Sequence, residues 1–433
     1  MKSLRFDFRN CLRGKTILIV LWVLSLDFSA SAFTLKESIE IALKNNSVVV
    51  ASQKKVEAAS ARLAQAVGGF LPNFKIEGNY GRSYSQPSTV QITMSTTVGA
   101  ITQDYTFGTD APTDIQGLTA SLNQPLFISP LFPKYAIAQK NLEMAREELR
   151  KTSLEISFNV TQAYFGVLKS EKMKKLAEES LNMAKTHLNQ VKVMLSVGTA
   201  TKGDLLRAEV QVANAEVDLT RAENTLALAK ESFRSILNLS SEVEVELQEE
   251  NFGGAEIKLP DYQELLKMAF NSRPEWKQYQ LAKGIGEDSL RLAQTSYLPS
   301  LLLSAQAGKR ITDYPTYRSE VNSWSVVGVA SWNLFDGFIR ENQIKEAIAN
   351  LESQKAQEEQ IKNSIALEVK EAVLNFKNIS NTITLAKKAV EAAEESFRFS
   401  NERFLAGVGT NLEVISAQVS VTQARVNHLQ SLF

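Results

Sequence analysis

The side chains that could do chemistry are few and scattered. Asp204 and Glu413 each follow a turn glycine, Gly198 and Gly407, by six residues, where returning helices should begin. An acid there meets the partial positive charge of a helix N-terminus, which favours a carboxylate. His187 and His428 are the only two histidines, and neither has a cysteine or second histidine at metal-ligand spacing. Both read as isolated surface side chains. The single cysteine, Cys11, excludes a disulfide scaffold and a cysteine-built zinc site. Gly407-Val408-Gly409 lacks the third glycine and preceding strand of a dinucleotide site. There is no P-loop, nucleophile elbow or paired-histidine motif. The lysines of Lys169–Lys175 are interleaved with or followed by Glu171, Glu178 and Glu179, which marks a solvated helix face. The sequence therefore predicts no enzyme, no cofactor and no metal.

Composition and the N-terminus narrow the class further. The 433 residues carry 48 Lys plus Arg against 48 Asp plus Glu, a balance that argues against nucleic-acid binding. Lys2, Arg5, Arg9, Arg13 and Lys15 precede an apolar run, Thr16–Leu26, and then Ala30-Ser31-Ala32. That is the pattern of an export signal with an A-x-A cleavage site. The apolar run is shorter than the roughly 20 residues a membrane helix needs. Residues 1–32 are expected to be removed, Cys11 with them, and no later stretch is apolar enough for a membrane helix.

The remainder reads as one unit written twice. Leu35-Lys36-Glu37 and Ala42-Leu43-Lys44-Asn45 match Tyr262-Gln263-Glu264 and Ala269-Phe270-Asn271-Ser272 at an offset of 227; Phe70-Leu71-Pro72 matches Tyr297-Leu298-Pro299. Further on the offset is 209: Val160 with Val369, Ala163 with Ala372, Gly198 with Gly407, Asp204 with Glu413, Ala208 with Ala417. The surplus falls between Tyr84 and Gln116, read as one long Ser/Thr/Gln/Gly-rich loop. The expected divisions are 33–239, an acidic linker at 240–261, and 262–433. By the second offset Phe433 stands opposite Asn224, so the second unit reads as truncated, without a counterpart of Thr225–Asn238. Apolar positions near Ile361–Val369 should then be exposed.

Two kinds of element must carry this unit. Phe74, Ile76, Gly78, Tyr80 and Tyr84 alternate with polar residues, as do Leu118, Ala120 and Leu122, and Trp324, Val326, Gly328, Ala330 and Trp332 lie on one face of their strand. In the strand at Leu301, Leu302 breaks the polar face. Strands of about 10 residues with one apolar and one wet face fit a transmembrane β-barrel. Four strands cannot close a barrel, so several copies must contribute. Pro133–Ser196 and Ile339–Ala406 read as unbroken helices of roughly 100 Å at 1.5 Å per residue. Val369, Val373, Phe376, Ile383, Ala386 and Val390 follow the 3-and-4 spacing of a coiled coil, as do Ala208, Val212, Ala215 and Leu219. Gly203–Asn238 and Leu35–Gly69, stacked end to end, are long enough to partner the first long helix.

Leu71-Pro72, Leu298-Pro299, Trp332-Asn333-Leu334-Phe335-Asp336-Gly337 and the paired turns Val197-Gly198-Thr199 and Gly407-Val408-Gly409-Thr410 together resemble the outer-membrane efflux protein family, the TolC-like ducts. The resemblance covers essentially the whole chain after the signal. It implies an α+β membrane protein: a homotrimer whose four strands per subunit make one 12-stranded transmembrane β-barrel, continuing into a periplasmic α-helical coiled-coil barrel. It also implies the outer membrane of a Gram-negative bacterium and passive exit of substrates in a tripartite efflux pump or type I secretion system. The implied partners are outer-membrane lipid, a periplasmic adaptor at the helix tips (Val197, Gly198, Thr199, Gly407, Val408, Gly409, Thr410) and an inner-membrane transporter. Glu413, with Asp204 as second choice, is implied at a charged ring around the periplasmic entrance. Phe404, Gly409 and Ser416 stand where the familiar pattern has a tyrosine, an arginine and a second ring aspartate. The alternative is a periplasmic adaptor, which would have one helical hairpin flanked by compact β-domains.

Overall fold

Thr34 starts the first helix with a reciprocal cap: its hydroxyl accepts from Glu37 N and its own N–H donates to the Glu37 carboxylate. From there the computed structural model describes residues 32–97, 99–108, 110–248 and 259–433. The export-signal segment lies outside the described residues except for Ala32, and so do residues 249–258 of the acidic linker. Helix α1 (Leu35–Asn45) stops at Asn46, whose backbone is extended and whose side chain then caps α2 (Ser47–Gly68) by accepting from Val48 N. The single helix expected over Leu35–Gly69 is therefore two. A short asparagine side chain competes for backbone groups and favours caps over helix interiors.

Strand β1 (Asn73–Ser83) follows, then a hairpin of β2 (Ser88–Thr96) and β3 (Gly99–Phe107), then β4 (Thr113–Ile128). The chain continues with α3 (Leu131–Ser196), α4 (Lys202–Leu237), α5 (Tyr262–Ser272) and α6 (Pro274–Gln294). It ends with β5 (Ser300–Asp313), β6 (Arg318–Ser331), α7 (Ile339–Leu405) and α8 (Asn411–Leu432). β1, β4, β5 and β6 form one antiparallel sheet in the order β1-β4-β5-β6, with β1 and β6 as its edges.

Register sets the faces of this sheet. Phe74, Leu122, Ala305 and Val326 stand side by side, and the next row is Lys75, Ser121, Gln306 and Ser325. An ordinary half-buried sheet lays its apolar row on a core. Here Phe74, Ile76, Tyr80 and Val326 are exposed, and Trp324 is 79% exposed. The strands run to 11, 16, 14 and 14 residues, longer than the sequence suggested. Leu302, which breaks the polar alternation, lies opposite Pro125 at the β4 bulge, where the ladder is already irregular.

The Tyr84–Gln116 stretch is not a plain loop. β2 and β3 pair along their whole length as a separate ribbon, with hydroxyl contacts Thr89–Thr106 (3.3 Å) and Thr93–Thr102 (3.1 Å) across one face. Serine and threonine suit a loop by composition, but β-branched threonine also suits a pleated ribbon.

The long helices are 66 (α3) and 67 (α7) residues, about 100 Å each. α4 ends where α1 and α2 meet: Asn46 Nδ2 donates to Ile236 O at 3.0 Å. The main core lies at that junction, where Ala42, Val160, Tyr164, Val167, Phe233 and Leu237 are buried together. Lys140 on α3 and the buried Asp288 on α6 pair at 2.7 Å and tie the two halves together. Arg340, at the start of α7, is buried over the Tyr297 ring; it pairs with Asp336 and donates to the carbonyls of Asn333 and Leu334. That fixes the turn out of β6. The exposure expected near Ile361–Val369 occurs only in part: Leu367 is 59% exposed and Ile361 half-buried, but Ile365 and Val369 are both buried. α5 crosses α7 there, with Tyr262 OH on Ala366 O and Arg273 on Glu368. Among the described residues no helix is long and apolar enough to cross a membrane.

Candidate functional site

Both helical hairpins turn at the end of the molecule remote from the sheet, and the two turns are built alike. Gly198 and Gly407 have φ of 79° and 75°, a region where a Cβ is strained. Thr199 N and Ala200 N donate to Met194 O, while Val408 N and Gly409 N donate to Arg403 O. Every one of these bonds recurs at the offset of 209 read from the sequence. Val197 and Val408, at the two apices, are each 68% exposed, and Gly198, Thr199, Gly407 and Thr410 are exposed with them. Gly409 is half-buried and required by space: a Cβ would stand 2.9 Å from Phe404 N and 3.0 Å from Arg403 Cβ. This turn has no room for the arginine of the familiar pattern.

The two acids, equivalent in sequence, are used differently. Thr201 caps α4 and Asp204 reciprocates: Asp204 N donates to Thr201 Oγ1 (3.2 Å), and Thr201 N and Oγ1 both donate to Asp204 Oδ2 (3.1 and 2.6 Å). The Thr201 hydroxyl, with help from its N–H, Asn411 and Arg207, holds the Asp204 carboxyl below the usual range against the opposing effect of burial. Thr410 caps α8 by accepting from Glu413 N at 3.2 Å, but the Glu413 carboxylate does not reach back. It is exposed, with Arg403 Nε at 4.0 Å. Asp204 is thus committed to its own helix, whereas Glu413 is free to act on its surroundings.

Between the hairpins lies a network the sequence did not reveal. His187 on α3 is 4% exposed and Asn411 on α8 is 3% exposed, so the surface placement of His187 is wrong; His428 is half-buried. Asn411 Nδ2 donates to Asp204 O at 3.0 Å, which leaves its Oδ1 to accept from His187 Nε2 at 2.6 Å. That fixes the tautomer by the logic of the network. His187 Nδ1 has no partner, and the ring lies 5.3 Å from that of Phe404. Val191, Ala208, Phe404 and Val414, one from each tip helix, pack as a buried cluster beside it. The spacing of His187 eleven residues before Gly198, facing an asparagine two past Gly409, was the signal available; nothing local showed that the faces meet. No group of three or more His, Cys, Asp or Glu that could hold a metal occurs among the described residues.

Residues 38–239 and 265–432 match the family model described as Outer membrane efflux protein. The chain is 22% identical over 414 residues to the alkaline protease secretion protein AprF of Pseudomonas aeruginosa, covering 95% of this chain and 84% of that one. It is 26% identical to the cobalt-zinc-cadmium resistance protein CzcC of Cupriavidus metallidurans, covering 72% of each. Outer membrane protein TolC of Escherichia coli is 22% identical, covering 74% of this chain and 68% of that protein. In fold it resembles CusC, with a TM-score of 0.78 at 18% identity over 92% of this chain and 88% of that one. VceC of Vibrio cholerae gives 0.74 at 17% identity over 92% of both chains.

Proposed function

The chain belongs to the outer membrane efflux protein family, and on that premise we propose that it is an outer-membrane exit duct, passively carrying substrates out of the periplasm. The observation that carries this reading is the sheet: an apolar row left bare, a polar row behind it, and two edge strands paired on one side only. Three copies joined edge to edge make twelve strands, with the apolar row toward lipid and the polar row toward water. The two long helices then continue the wall across the periplasm. In this reading the halves 33–239 and 262–433 are an internal duplication. It supplies two similar helical hairpins, which lets three chains build a ring of six.

The tips are the contact surface for a periplasmic adaptor, which joins the duct to an inner-membrane transporter. Val197 and Val408 offer it apolar contacts at both apices. Glu413 from three copies forms the charged ring of the entrance, where clustered carboxylates attract cations. Asp204 is the weaker candidate, because its carboxylate already serves its own cap. The adaptor alternative finds no support in a chain with two helical hairpins, a four-stranded sheet and a two-stranded ribbon. No step here calls for a catalyst. The relatives named for protease secretion and for cobalt-zinc-cadmium resistance suggest that cargo is set by the transporter, not by the duct.

The test is reconstitution of purified protein into planar bilayers, with outer-membrane fractionation and chemical crosslinking in parallel. Conductance from a crosslinked trimer is the expected result. A monomeric periplasmic protein without conductance overturns the reading.

A further inference from the structure

The four-stranded sheet carries five cations, Lys75, Arg82, Lys309, Arg310 and Arg318, and four acids, Glu77, Asp114, Asp313 and Glu320. Every acid is taken: Glu77 by Lys75, Asp114 by Arg82, Asp313 by Arg318 and Glu320 by Lys309. Arg310 is left over. It is exposed, and its guanidinium has no ion pair and no hydrogen bond among the described residues. Register puts it on the polar face. Asn79, Gly117, Arg310 and Val321 form one row, and Glu77, Thr119, Gly308 and Ser323 form the next, two residues along β1 from Lys75.

Two glycines make a floor beside it. A Cβ on Gly117 would stand 2.3 Å from Asn79 Oδ1, and one on Gly308 would stand 2.9 Å from Leu118 O. Glycine inside a strand marks a place where another group comes close. The result is a hollow of about 380 Å³, edged by Arg310 and the side chains of Asn79, Thr119, Gln306 and Ser323. None of those four side chains is hydrogen-bonded to another protein group among the described residues.

We propose that this hollow is an oxyanion pocket, taking the carboxylate or phosphate group of a solute that passes along the wet face of the sheet. The proposal rests on the exit-duct reading for the water-filled path in front of the pocket, not for the pocket itself. A guanidinium presents a planar fork of N–H donors that matches two oxygens of such a group. Two amides and two hydroxyls around it are free to donate to the remaining oxygens. The sheet offers no carboxylate of its own for Arg310, in one copy or in a neighbouring one, because all four acids are already paired. A lipid phosphate would meet the opposite face, where Arg82, Lys309 and Arg318 each have an acid.

The experiment labels the arginines of the purified full chain with phenylglyoxal and reads each site by peptide mass spectrometry, with inorganic phosphate or succinate replacing chloride at constant ionic strength. At least one of these anions should slow labelling of Arg310 severalfold and leave Arg82 and Arg318 unchanged; which one does so names the group the pocket takes. Asn79→Ala keeps the guanidinium but removes an amide donor, and should lose most of the protection with circular dichroism unchanged. In planar bilayers Arg310→Gln should shift selectivity toward cations. No protection of Arg310, or equal protection of the paired arginines, overturns the pocket. So does protection untouched by Asn79→Ala, which marks a bare surface guanidinium. Conductance whose selectivity ignores Arg310→Gln overturns its place beside the path. Labelling needs no conductance, so protection in a protein that never conducts rejects the duct and leaves the pocket standing.

Discussion

His187 Nε2 donates to Asn411 Oδ1 at 2.6 Å, joining α3 of one hairpin to the first residue of α8 in the other. With both groups out of water, the bond is easy to lose and costly to leave half made. His187→Leu strands Asn411 Oδ1 in an apolar site and should cost about 1–3 kcal/mol. His187→Gln, which keeps an N–H donor, should recover most of it. Denaturant unfolding of the two variants against wild type decides the point.

The two tip acids should separate cleanly. Glu413→Gln should reduce cation selectivity in single-channel recording and leave stability nearly unchanged, because its carboxylate caps nothing. Raising salt should shrink the difference as screening closes in to about 8 Å at physiological ionic strength. Asp204→Ala should do the reverse, costing about 1 kcal/mol in helix capping with little change in selectivity. Selectivity lost in Asp204→Ala but kept in Glu413→Gln would exchange their roles.

Glu358 gives a pH dependence of known sign. Lys362 foremost, with Lys283 and Tyr279, holds its carboxyl at about 2, below the ordinary 4.5. A carboxyl depressed in the folded state adds stability above its unfolded pKa and loses it as pH falls through the folded one. The clamp between α6 and α7 should therefore weaken between about pH 4.5 and 2. Melting temperature followed over that range should fall less steeply in Glu358→Gln than in wild type.

Glycine is needed for two different reasons at one turn. Gly407→Ala places a Cβ at φ 75° and should cost about 1–2 kcal/mol by strain alone, since nothing lies within 4 Å of it. Gly409→Ala keeps an ordinary φ but collides with the Phe404 and Arg403 backbone, which must shift; overpacking of this kind costs about 1–3 kcal/mol. Thermal melts of the pair should show both destabilised, and only Gly409→Ala should also disturb the near-ultraviolet signal of the tip aromatics.

What the sequence disclosed was local. Turn glycines, helix periodicity and the alternation of Phe74, Ile76 and Tyr80 are written within a few residues, and each led to the right element. Asn46 is also local, but an asparagine inside a helical pattern is ambiguous until its side chain is seen to cap. The burial of His187 was beyond reach. It depends on α8 arriving from more than 200 residues away with Asn411 on the facing side. The same holds for Val369, which is buried beside α5. Periodicity shows that a helix has an apolar face, not which helix meets it.

The unpaired edges of β1 and β6 have a kinetic corollary. A row of free N–H and C=O groups cannot rest in hydrocarbon, where each costs several kcal/mol. In the trimeric barrel proposed above, the sheet of one chain is therefore not a membrane-competent object, and insertion and assembly become a single event of high molecularity. Its rate should fall steeply on dilution, unlike that of a barrel closed by one polypeptide. On that proposal the supply of neighbouring chains, more than the folding of any one of them, sets how fast the wall appears.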